Sequence, residues 1–108
     1  DHIDTLIFDE IDAGISGITA WKVAEELNTV GKAHQVLCIT HLPQIAAMAD
    51  GHFLIEKTVE QNSTRSDIYK LSQEDSIKEL ARMLGGVEIT DVVMKNAKEM
   101  KELAYMKK

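Results

Sequence analysis

At 108 residues the chain has room for one domain at most. Apolar residues make up 44% and charged residues 28%, with a net charge of −6, so a core can form while a broad nucleic-acid footprint, which needs clustered Lys and Arg, is disfavoured on this chain. No apolar run approaches the ~18 residues of a membrane helix, and the first apolar stretch is short and ends in acids, unlike a signal peptide. The single cysteine, Cys38, excludes an internal disulfide and suits a reducing cytoplasm. No Cys/His cluster has zinc spacing.

Residues 4–9 predict a buried strand. Ile3, Leu6, Ile7 and Phe8 are nearly continuous, as expected where both faces of a parallel sheet are covered. The run ends in two adjacent carboxylates, Asp9 and Glu10. Strand side chains alternate between faces, so the two acids need not do the same job. Asp9 is placed to hold a hard cation such as Mg²⁺, and Glu10 to polarise a water. The bland alternative is a solvated pair of acids at a strand end. A central strand so close to the start of the sequence has few candidate neighbours here, which points to the carboxy-terminal piece of a longer protein.

Gly14 and Gly17 punctuate the following turn, and Ser16 is placed as an N-cap. Residues 18–30 read as a helix, with Trp21, Ala24, Leu27 and Val30 at helical spacing and Gly31 as its stop. Trp21 reads as core. Residues 35–40 predict a second buried strand, with Cys38 packed inside it. Strand, helix and strand make a βαβ unit with parallel strands. The carboxyl ends of both strands then share one rim, the edge where open α/β sheets bind ligands. Asp9 and Glu10 are thereby brought to the same edge as Thr40 and His41.

His41-Leu42-Pro43-Gln44 opens a short helix, with Pro43 pre-set for its first turn and Asp50-Gly51 ending it. Residues 52–58 and 66–71 read as two strands of a hairpin joined by the polar loop 60–64, with His52 an exposed strand residue. Ser72-Gln73-Glu74-Asp75 resembles a capping box. Ile77, Leu80, Ala81 and Leu84 then follow at helical spacing, and Gly85-Gly86 reads as a C-cap rather than a phosphate loop. Thr90 caps a last helix over residues 91–105, with Val93, Ala97, Met100 and Ala104 on one side. Lys95, Lys98, Lys101, Lys107 and Lys108 alternate with Glu99 and Glu102, so they read as a solvated face.

Two acids and one histidine on a sheet rim admit three chemistries. A Ser-His-Asp hydrolase using Ser16 lacks the Gly-x-Ser-x-Gly elbow. A metal hydrolase would want more His or carboxylate ligands. Phosphoryl transfer fits best, with Asp9 on Mg²⁺, Glu10 on the attacking water and His41 on the γ-phosphate. No Gly-x-x-x-x-Gly-Lys-Ser/Thr cradle occurs, so the chain offers at most half of a nucleotide site.

Leu6-Ile7-Phe8-Asp9-Glu10 resembles a Walker B motif of the ABC/SMC class of ATPases. The longer runs Phe8-Asp9-Glu10-Ile11-Asp12-Ala13-Gly14-Ile15-Ser16-Gly17 and Cys38-Ile39-Thr40-His41-Leu42-Pro43-Gln44-Ile45-Ala46-Ala47-Met48-Ala49-Asp50 resemble the RecN family of bacterial DNA repair ATPases. Ala81-Arg82-Met83-Leu84-Gly85-Gly86 and Ile89-Thr90-Asp91 fit the same family, so the resemblance covers nearly the whole chain. It implies an α/β fold over residues 1–108: the carboxy-terminal lobe of a P-loop NTPase head, with a parallel βαβ core, a hairpin and two C-terminal helices. It implies Asp9 as the Mg²⁺ acid, Glu10 as the catalytic glutamate and His41 as the switch-loop histidine. It also implies Ala13-Gly14-Ile15-Ser16 as the D-loop, with Gly14 and Ser16 beside ATP. Ser16 stands where many ABC and SMC proteins carry Asp, and Ile18 where RecN relatives often have Arg. The implied partners are the amino-terminal lobe of the same head, a second head in an ATP-dependent dimer, and DNA through the intact protein. The implied setting is the bacterial cytoplasm at the nucleoid, in double-strand-break repair and recombination. Read without the resemblance, the rim also admits a lobe of another ABC or SMC ATPase, or a non-catalytic interaction module.

Overall fold

The structure, a computed structural model, describes residues 4–9, 14–86 and 88–108. Ile3, Glu10 and Ala13, to which the sequence assigns parts in the strand and the turn, lie outside the described residues. The order is β1 (Thr5–Asp9), α1 (Gly17–Gly31), β2 (Gln35–Ile39), α2 (Pro43–Met48), β3 (Phe53–Glu60), β4 (Ser63–Lys70), α3 (Gln73–Gly85) and α4 (Asp91–Lys107).

β1 and β2 pair in parallel, from Thr5 opposite Gln35 to Asp9 opposite Ile39. The Gln35 amide donates to the Asp4 carbonyl at 3.1 Å, and the Thr5 hydroxyl donates to Gln35 Oε1 at 2.9 Å, so the foot of the pair is fixed too. The expectation of a sheet covered on both faces is corrected. Leu6, Phe8, Val36 and Cys38 are half-buried, but Ile7 is 67% exposed, Leu37 49% and Ile39 45%. The reason is geometric. Side chains alternate across the strands, and a single crossover helix covers one face only.

The core lies among the helices. Ala24, Ile45, Ala46, Ala47, Met48, Leu80, Ala81, Ala97 and Ala104 are buried together, with Trp21, Leu27, Cys38, Ile77, Val93 and Met100 packed against them. Six of these nine buried residues are Ala, which lets the helices approach closely. The six-residue α2 sits at the centre, packing against α1, α3 and α4. Trp21 is half-buried at the edge of this core, and the Lys107 ammonium lies 5.6 Å from its ring centroid.

The predicted caps form. Ser16, Ser72 and Thr90 each accept a hydrogen bond from the amide three residues on, at 3.3, 3.1 and 3.2 Å. Gly86 closes α3 with φ of +72°, a backbone conformation that side chains with a Cβ rarely adopt.

β3 and β4 form an antiparallel hairpin with Phe53 opposite Lys70 and Glu60 opposite Ser63. The polar loop expected over residues 60–64 is therefore mostly strand. Only Gln61 and Asn62 turn, with φ of 32° and 71°, as a two-residue hairpin of the primed kind requires. His52 precedes β3 rather than lying within it, and it is half-buried, not exposed.

Candidate nucleotide site at the sheet rim

The register of the two strands builds the rim. Because Asp9 pairs with Ile39, the residues that follow β2 stand beside the carboxyl end of β1. Asp9 is exposed, on the same face as Ile7. His41 is also exposed. Thr40 Oγ1 accepts from the Leu42 amide at 3.0 Å, which turns the chain into α2 and holds His41 in the corner. Pro43 then starts α2 without needing an amide partner.

Gly14 lies in a turn ahead of α1, with φ of +80° and open space around the position of a Cβ. Ser16 spends its hydroxyl on the helix. It accepts from the Thr19 amide and donates to Thr19 Oγ1 at 3.1 Å. It is a cap first, and a nucleophile activated by His41 finds no support in these contacts.

One residue of the rim was missed by sequence reasoning. Gln44, on α2, lies against Gly17, the first residue of α1, and a Cβ on Gly17 would stand 3.1 Å from Gln44 Nε2. Gln44 Oε1 is buried and has no hydrogen-bond partner among the described residues. Helix α2, which follows His41, thus abuts the start of α1. A glycine at a helix start, where Ala would be preferred, was the available signal for this close approach.

Among the described residues no group of three His, Cys, Asp or Glu side chains could hold a metal ion. A surface cavity of about 510 Å³ lies elsewhere, lined by Ala47, Asp50, Gln73, Lys101, Tyr105 and Lys108 among others.

No protein-family model matches the chain. It is 45% identical over 98 residues to the DNA repair protein RecN of Bacillus subtilis, covering 91% of this chain and 17% of that protein. It is 47% identical over 103 residues to the DNA repair protein RecN of Haemophilus influenzae, covering 95% of this chain and 18% of that protein. The chain is a homologue of RecN over nearly its whole length. It spans less than a fifth of the RecN proteins it matches. A solved chain from work on ATP-driven dimerization and DNA stimulated activation of SMC ATPases superposes with a TM-score of 0.60 and 25% identity, over 78% of this chain and 50% of that one. The fold is accordingly part of an SMC-type ATPase head, as the RecN resemblance implies.

For a RecN homologue the donor set at the rim can be tested against Mg²⁺. That cation keeps several waters and takes one or two carboxylates beside phosphate oxygens. A single solvated carboxylate, Asp9, at a strand end fits that habit. It does not fit a site built from protein ligands alone.

Proposed function

We propose that the chain supplies one half of the ATP-hydrolysing site of a RecN-like ATPase acting in DNA double-strand-break repair and recombination. The observation that carries this reading is the register that sets Asp9 opposite Ile39 and so places the His41 corner beside the strand that runs into Asp9-Glu10. Asp9 holds Mg²⁺, mainly through water. Bound there, Mg²⁺ supplies charge neutralisation to the phosphates. Glu10 takes a proton from the attacking water, and His41 donates a hydrogen bond to the γ-phosphate. Gly14 and Ser16 lie on the turn that faces a second head. The phosphate cradle comes from outside these 108 residues, because no Gly-x-x-x-x-Gly-Lys-Ser/Thr occurs within them. DNA is engaged by the larger assembly rather than by this acidic chain, whose net charge is −6. No helix of the described residues is long and apolar enough to cross a membrane. The reaction belongs in the bacterial cytoplasm, at the nucleoid.

The test is Glu10→Gln in a full-length RecN carrying this segment. Loss of general-base action lowers ATP turnover by about 10²–10⁴-fold, with nucleotide binding retained. Unchanged turnover would reject a catalytic rim and favour an interaction module.

A further inference from the structure

A second polar cluster lies outside the rim, where three elements meet. His52 sits just ahead of β3, Ser76 on α3 and Lys101 on α4. Ser76 is 2% exposed, and its Oγ lies 2.7 Å from His52 Nδ1 and 3.1 Å from Lys101 Nζ. One serine hydroxyl therefore joins residues 24 and 25 positions away in the chain. The backbone is tied at the same place, since the Leu71 amide donates to the His52 carbonyl at 2.9 Å.

We propose that His52, Ser76 and Lys101 form a proton-sensitive lock, which fastens the foot of the β3–β4 hairpin to α3 and α4 while the imidazole is neutral and loosens when it gains a proton. The donor and acceptor inventory carries this. Lys101 is only a donor, so it occupies a lone pair of Ser76 Oγ. The serine's own proton is free for a second partner, and the lock assigns it to Nδ1, as the unprotonated nitrogen of a neutral ring. Protonation turns Nδ1 into a donor. The serine proton loses its acceptor, and two cations then crowd one buried hydroxyl.

The surroundings push the same way. Burial, and then the Lys101 charge, hold His52 below its ordinary value of 6.5, against a smaller opposing pull from Glu79. Glu79, on α3, is engaged by Arg82, whose Nε stands 2.8 Å from its Oε1. Lys101 is itself lowered, by burial and then by Lys108, which pairs with Asp50 at 2.7 Å. With the folded value of His52 below the unfolded one, the unfolded chain binds more protons between them. The stability that the lock contributes is full above the unfolded value near 6.5. It is lost as pH falls through the folded value.

The test is an NMR titration of this chain, following the His52 ring and the Leu71 amide. The expected result is a His52 midpoint below 6.5, with the Leu71 amide shifting at the same midpoint, and a rise of that midpoint in Lys101→Met. Ser76→Ala should raise it as well, by removing the donor to the neutral ring. If a variant fails to fold, the wild-type titration decides. A His52 midpoint at or above 6.5, a Leu71 amide that ignores it, or a midpoint unmoved in folded Lys101→Met overturns the lock.

Discussion

The sheet half and the helical half of this molecule solve burial differently. The helices α2, α3 and α4 close on one another, with Leu80, Ala81, Ala97 and Ala104 fully buried. The β1–β2 pair leaves Ile7, Leu37 and Ile39 on an open face. Fully burying one such side chain is worth roughly 1.5–3 kcal/mol, so the sheet forgoes stabilisation that the helices collect. The residues assigned to chemistry, Asp9 and His41, stand on the half with the open face. Stability and the proposed activity are therefore housed apart. The helical half can hold the chain together while the rim stays open to a nucleotide and to further protein.

The difference can be broken at its strongest point first. Leu80→Ala removes a fully buried side chain from the helical core and should cost about 2–5 kcal/mol. Leu37→Ala, on the open sheet face, should cost under about 1 kcal/mol. Urea midpoints of the two variants measure the contrast, and equal losses would mean that the halves are equally closed. A finer comparison uses the caps. Thr90→Ala and Ser16→Ala each remove one capping hydrogen bond and should each cost about 1 kcal/mol. Only Ser16→Ala, at the turn after the acids, should also lower ATP turnover in a full-length RecN carrying this segment.

Much of the fold was legible in the sequence. The helix caps at Ser16, Ser72 and Thr90 and the stop at Gly86 announce themselves through local chemistry, and each formed. The βαβ unit followed from two short apolar runs around an amphipathic stretch, and its parallel register sets Asp9 opposite Ile39, next to Thr40 and His41 in the chain. Glu10 lies outside the described residues, so its role rests on its place next to Asp9. What the sequence concealed was polar and long-range. Lys101 read as one cation of a solvated face, yet it falls between Ala97 and Ala104 on the buried stripe of α4. His52 carried no local pattern at all, because its partner is 24 residues away. The hairpin turn was drawn too long since Gln61-Asn62 lacks the glycine that usually marks a two-residue turn. The open sheet face was misread for a related reason. Continuous apolar runs signal burial on both sides, whereas among the described residues Ile7, Leu37 and Ile39 are exposed on one side.

The central claim is that these 108 residues carry half of a nucleotide site. It is tested most directly by calorimetric titration of Mg²⁺-ATP into the chain alone, and then into the chain mixed with the remaining head segment of a RecN. The account predicts binding only in the mixture, because the rim offers Asp9 and His41 but no phosphate cradle. Tight binding by the chain alone would contradict it.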